Sequence, residues 1–433
     1  MVSSFQKTLG QAQTVIGNIQ DRLIAPCAIV DAQGSVSADI PALLNRLLIF
    51  KDYYLQSIRL REFGSLVRNL GLENVILLLD SGALKLDLNP TQFGQSGQTA
   101  PQLGIREKPS LPLLSYSFSL LLSAQRDDYL LRSIQEVHRD LCSVLGRKDL
   151  MALEGAILRA VMPIPENSGV SALLAFDSDL RANAPMFKKA LMSRLRIRPD
   201  FGSVEESSVS LIVRPIDDTD FATESNLESL GLAKEEVHKI VESSLLAVGW
   251  LNRRIEDMES YHALSGAIDE ELPLFGEKFK FLAASLSPKL KEDTFDKVLR
   301  IGRFPSFDFE TPTNRFDMQK FLKVRESKEC SEFRDWLKHA QFFDEQEIHS
   351  QVGSLRARLG TLVHGTKGKL IRLALGTGVG AVPVLGVPLG FAYGVLDTFV
   401  LEKVLPLSGP AMFLDVMYGS LFAPRSGVSA EQD

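Results

Sequence analysis

One segment restricts the architecture more than any other: AKEEVHKIVESSLLAVGWLNRRIEDMESYHALSG, Ala233 to Gly266. Val237, Ile240, Val241, Leu245, Val248, Leu251, Ile255 and Met258 recur at three- and four-residue steps, which makes one apolar stripe on a long helix or a closely joined pair. A stripe of that length has to be covered, so the chain needs a helical body around it. Asp127 to Leu145, Asp149 to Val161 and Ala184 to Leu195 carry the same periodicity. Asp344 and Glu347 form a D-x-x-E capping signal ahead of a further stripe, Ile348, Val352, Leu355 and Leu359.

The N-terminal part is mixed. Ser3 to Leu23 is amphipathic at helical spacing, and Cys27 to Asp31 reads as a short strand. LLIFKDYYLQSIRL, Leu47 to Leu60, is aromatic and branched and predicts a strand; two helices follow, closed by Gly71 and Gly82. Ala83 to Leu88 and Leu111 to Leu122 alternate as strands of a small sheet, separated by a Gly-, Gln- and Pro-rich loop over Asn89 to Ser110. Val209 to Ile216 is another strand. The expectation is an α+β fold, predominantly α: a mixed domain over 1–163, a helical domain over 164–312, and a C-terminal helical module over 313–433 with a glycine-rich hairpin at about 370–396.

Two stretches, LLIFKDYYLQSIRLREFGSLVRNLGLENVILLLDSGALKL (Leu47 to Leu86) and FLKVRESKECSEFRDWL (Phe321 to Leu337), resemble a group of uncharacterised bacterial proteins. The resemblance implies a bacterial source and no activity, cofactor or site.

Composition narrows the function classes. A net charge of -6 argues against a constitutive nucleic-acid binder, which concentrates positive charge on one face. Three widely spaced cysteines, Cys27, Cys142 and Cys330, make neither a disulfide framework nor a CxxC site and fit a reducing compartment. The N-terminus lacks the apolar core of a signal peptide, which predicts a cytoplasmic location.

Chemistry-bearing motifs are sparse. Glu235 with His238 and Glu259 with His262 are E-x-x-H pairs of the kind that supply di-metal bundles, but the pairs begin 24 residues apart (259 − 235). On one helix they stand about 36 Å apart. Asp217, Asp218 and Asp220, in PIDDTDFATE after a strand, are the candidate metal ligands of a hydrolase or nuclease; the competing reading is a solvated turn leading into a helix. GTLVHGTK, Gly360 to Lys367, departs from a P-loop in the order of its last residues and in following a helix. No GxSxG or HExxH occurs, and no cofactor is expected.

The C-terminal glycine stretch is the least ordinary. From Leu373 to Leu396 there are 24 uncharged residues, interrupted by Pro383 and Pro388 into two arms, each too short to span a bilayer. Gly376 and Gly380, then Gly386, Gly390 and Gly394, fall four apart, so each series makes a side-chain-free face for close helix contact, a glycine zipper. Packing within the chain, conditional insertion at the inner membrane, and a ligand or self-association contact all use that face. The functional expectation is a non-enzymatic interaction or effector protein engaging a protein partner or a membrane through the hairpin, with the Asp-cluster hydrolase as the alternative.

Overall fold

A computed structural model of the chain describes residues 19–32, 34–57, 59–88, 92–99, 113–121, 126–163, 169–182, 185–215, 220–266, 272–279, 287–307, 316–341, 343–353 and 409–422. In it the run Leu47 to Leu60 divides. Its first residues close a helix, Ile40–Ile49, which Asp39 caps by accepting from the Ala42 N–H at 2.9 Å. The chain turns at Phe50, and the strand occupies Asp52–Gln56. Both pieces are apolar because both are covered: Leu43, Leu44, Leu47 and Leu48 on the helix and Tyr53 and Leu55 on the strand are fully buried. A strand buried on both faces shows no alternation to mark its start, so composition alone merges it with the helix before it.

That strand, β4, lies in a parallel sheet. Numbering the strands along the chain, β1 is Arg22–Ala25, β5 is Leu84–Asp87 and β10 is Leu264–Ser265, in the order β10-β1-β4-β5. Arg22 and Leu23, the end of the amphipathic segment read from Ser3, belong to β1; residues 1–18 lie outside the described residues. Between β1 and β4 come a hairpin, β2 (Ala28–Val30) and β3 (Val36–Ala38), and the helix Ile40–Ile49. Between β4 and β5 come the helices Phe63–Leu70 and Leu72–Asp80. Gly71, at a φ of 86°, ends the first, and Gly82, at 71°, follows the second, where only glycine adopts the left-handed backbone without strain.

A second sheet is antiparallel, in the order β6 (Gln92–Thr99), β7 (Leu113–Leu121), β9 (Asp220–Ser225), β8 (Leu211–Pro215). The stretch expected to be loop therefore contains a strand, paired with β7 from Gln92 opposite Leu121 to Thr99 opposite Leu114. Its composition is poor for a strand, but β7 offers a full row of backbone partners, and main-chain pairing is indifferent to side chains. The strands over Ala83–Leu88 and Leu111–Leu122 exist but sit in different sheets. Asp220 opens a strand, not a helix.

The fold is α+β and predominantly α. Lys234–Tyr261 is one unbroken helix of 28 residues, the long helix below. It packs against Val170–Arg181 and Pro185–Arg196, and Val241, Leu245, Val248 and Leu251 are fully buried. It ends at His262 in a left-handed conformation, φ 47°, and the chain runs straight into β10. Gly266 then lies so close to β1 that a Cβ would approach the Ala25 Cβ to 2.4 Å, so glycine is required to seat this edge.

Further along, Met318–Glu326 and Lys328–Ala340 lean on the Ile40–Ile49 helix. Arg325 Nε donates to Leu47 O at 3.0 Å and Arg334 Nε to Leu48 O at 2.7 Å, so two guanidiniums satisfy the last carbonyls of that helix. Asp344 accepts from the Glu347 N–H at 2.7 Å and starts a helix over 345–353, on which Ile348 and Val352 are buried. Residues 409–422 return to the same body: Phe413 stacks on Phe333 at 4.5 Å, and Tyr418 donates to Pro305 O at 2.8 Å. Among the described residues no helix is long and apolar enough to cross a membrane.

Candidate functional site

Open α/β sheets present their chemistry at the carboxyl ends of parallel strands. Here β4 ends in Gln56, β5 in Asp87 and β10 in Ser265, and the last three turns of the long helix face them with Arg253, Glu256, Asp257 and Tyr261. The spacing places Arg253, three residues from Glu256 and four from Asp257, within reach of both carboxylates on one helical surface. Its guanidinium is 2.6 Å from Glu256 and 2.9 Å from Asp257. Gln56 Nε2 donates to Asp257 at 3.2 Å, Tyr261 Oη donates to Asp87 at 2.9 Å, and the Gly169 N–H donates to both Glu256 oxygens at 2.8 and 2.9 Å. The Tyr261 ring packs on Tyr54 at 5.1 Å.

All of these groups are inside except the half-buried Gln56. One guanidinium faces three carboxylates, an excess of negative charge that a low-dielectric interior does not tolerate fully ionised. Burial pushes the Asp257 carboxyl up to about 7 in spite of Arg253, and Asp87 and Glu256 push it the same way. Burial, with Asp87 beside it, also raises the Tyr261 hydroxyl, which keeps its proton and donates a hydrogen bond to Asp87. Burial alone would lower the Arg253 pKa, but Asp257 and Glu256 raise it, so the cation persists. The arrangement favours the protonated form of Asp257 and fastens the long helix to the strand ends. Its carboxylates are taken up by protein donors, which suits a lock more than an open catalytic centre.

A second constellation borders a cleft of about 530 Å³ between the β2–β3 turn, the helix Phe63–Leu70 and the helix Arg126–Leu141. Gly34, Ser35 and Val36 form one wall, Leu60, Arg61, Gly64 and Arg68 the second, and Glu136, Val137, Arg139 and Asp140 the third. Arg59 pairs with Glu136 at 3.1 Å and Arg68 with Asp140 at 3.3 Å. Arg59 and Leu60 both take left-handed backbone, φ 59° and 54°, a conformation costly for side-chain-bearing residues. They are held there because the Arg59 N–H donates to Tyr129 Oη at 3.2 Å and the Leu60 N–H to Ser57 Oγ at 2.9 Å. Gly64 lets the two helices close up, since a Cβ there would fall 1.5 Å from an Asp140 oxygen.

Next to Arg61 the chain buries Glu62, 1% exposed, whose Oε1 has no hydrogen-bond partner among the described residues. Burial raises its pKa, with the Ser57 hydroxyl and its own backbone N–H opposing. A carboxyl whose folded pKa lies above its ordinary 4.5 favours folding while protonated and loses that contribution as pH rises past 4.5. Glu62→Gln is therefore expected to raise stability at neutral pH by up to about 1 kcal/mol. The gain should vanish near pH 4, where the native carboxyl is already neutral. Thermal melts of both proteins across that range check it; a gain that persists in acid contradicts the assignment.

The residues singled out from the sequence fall elsewhere. Asp217 and Asp218 lie outside the described residues, as do Gly376, Gly380, Gly386, Gly390 and Gly394 and the whole 370–396 segment. Asp220 opens β9, paired opposite Ser117 of β7. The two E-x-x-H pairs stand at opposite ends of one continuous helix and do not converge: His238 is 3.9 Å from Glu242, and His262 is the helix C-cap. Cys27 and Cys330 are buried, and burial pushes both thiols up; Cys142 is exposed. Among the described residues no group of three His, Cys, Asp or Glu side chains is placed to hold a metal ion.

Sequence reasoning passed over Arg253, Glu256, Asp257, Asp87 and the cleft arginines. The only local signal was R-R-I-E-D at the end of an otherwise apolar stripe, and charges at a helix end are ordinarily solvated. They are buried because the sheet covers the side of the helix opposite its stripe. The chain matches no protein-family model, no curated protein and no solved structure.

Proposed function

We propose that the chain is a non-enzymatic interaction or effector protein of the cytoplasm whose glycine-rich apolar segment contacts a protein partner or, conditionally, the inner membrane. The observation that supports this most is the anchoring of both flanks. On one side Ile348 and Val352, on the other Phe413 and Tyr418, are buried in the body of the fold. The 55 residues from 354 to 408, which lie between these two flanks, include both glycine series. A contact face tethered at both ends reports on the body that holds it, which is what a triggered effector requires. The carboxyl-edge network supports the same reading, because its charges hold elements together.

The glycine spacing carries the test. Gly390→Leu removes close backbone approach along the Gly386, Gly390, Gly394 face, whereas Val387→Leu adds a methylene off that face. If the segment packs within the chain, Gly390→Leu is expected to lower stability by roughly 1 to 3 kcal/mol through overpacking. If it meets membrane, the same variant keeps its melting temperature and loses liposome leakage or recovery with the membrane fraction. Melting and leakage on both variants separate the two, and identical behaviour of Gly390→Leu and Val387→Leu in both assays removes the glycine face from the proposal.

A further inference from the structure

We infer that the cleft between the β2–β3 turn and the helices Phe63–Leu70 and Arg126–Leu141 binds a phosphorylated small molecule, with its phosphate held by Arg61 and Arg139. The argument begins with charge. Of the three arginines that line the cleft, Arg68 is matched by Asp140, and the lining Glu136 is taken up by Arg59. Arg61 and Arg139 line the same space, and among the described residues neither has a carboxylate partner. Two unmatched guanidiniums call for a dianion. A phosphate monoester carries about −1.5 to −2 charge at neutral pH and offers three acceptor oxygens to the planar forks of arginine. A single carboxylate would leave one of the two cations unmet.

Shape agrees with charge. About 530 Å³ lies within the range of small-molecule sites, and half-buried Val36 gives the organic part an apolar contact at the rim of the fully covered Leu60 and Val137. Glu136 and Asp140, on the same wall as Arg139, are each held by another arginine, and they oppose a long polyanion such as a nucleic-acid backbone more than a single phosphate. Backbone strain points to the same place. Arg59 and Leu60 are consecutive left-handed residues, pinned by Tyr129 and Ser57, and they deliver the chain into Arg61 at the cleft wall. Strain of this kind persists where the surroundings over-determine it, as binding sites do.

Calorimetric titration of the full chain with inorganic phosphate and with glycerol 2-phosphate, in chloride buffer at constant ionic strength, tests the assignment. Both probes are expected to bind and to raise the melting temperature. Each of Arg61→Gln and Arg139→Gln is expected to weaken binding about tenfold, and the pair roughly 100-fold, as loss of charge-assisted bonds implies. Both arginines are exposed, so the variants should melt like the native chain when phosphate is absent. Should the double Gln variant fail to fold, Arg61→Lys with Arg139→Lys keeps the charge and removes the fork, and is expected to bind more weakly than the native chain. Absence of binding by the native chain at millimolar probe, or equal binding by native and Gln or Lys variants, overturns the site. Binding confined to vesicles containing phosphatidic acid, with none to the soluble probes, overturns the small-molecule reading.

Discussion

Arg253→Met is expected to destabilise the folded chain by about 3 to 5 kcal/mol above neutral pH, because it leaves Glu256 and Asp257 buried without their cation. Methionine fills similar volume, so the loss reflects charge and not a cavity. The sign of the pH dependence follows from Asp257. Its folded pKa is raised from 3.8 to about 7, so protonation favours the folded state; that contribution is complete below 3.8 and is lost as pH rises through about 7. Removing Arg253 raises the Asp257 carboxyl further and steepens that loss. The gap between native chain and variant should therefore narrow as pH falls from 8 toward 5, and Asp257→Asn added to Arg253→Met should recover part of it. Denaturant titrations of the three proteins across this range measure the effect. A gap independent of pH would mean that Arg253 acts through packing alone.

Leu245→Asp should be the most damaging single change in the long helix, at more than about 4 kcal/mol. Leu245 is fully buried at the middle of the stripe, on the helix that packs against Val170–Arg181 and Pro185–Arg196 and whose end carries the carboxyl-edge lock. A carboxylate there has no donor built to meet it, so it either stays charged at high cost or takes up a proton. The variant should melt far below the native chain, or appear only in the insoluble fraction, and recover partly in acid. A melting temperature equal to that of the native chain would mean that this stripe faces no core.

Several parts of this protein were legible in its sequence for local reasons. The long helix follows from eight apolar residues at helical spacing, the ends of Phe63–Leu70 and Leu72–Asp80 from Gly71 and Gly82, and the start of the 345–353 helix from Asp344 three residues before Glu347. Each depends on side chains within a turn or two of one another, so the information sits in the segment itself. The cleft and the carboxyl-edge network were not legible, since their members come from positions as far apart as Gln56, Asp87, Gly169 and Asp257. The same holds for β6, a polar segment made into a strand by β7, and for the division of Leu47 to Leu60 into the end of a helix and a buried strand. By itself the sequence determined the helical periodicity, the caps and the α-rich character of the fold. The tertiary structure alone decided which charges are inside, because Arg253, Glu256 and Asp257 look like any solvated helix end until the sheet closes over them and removes the water.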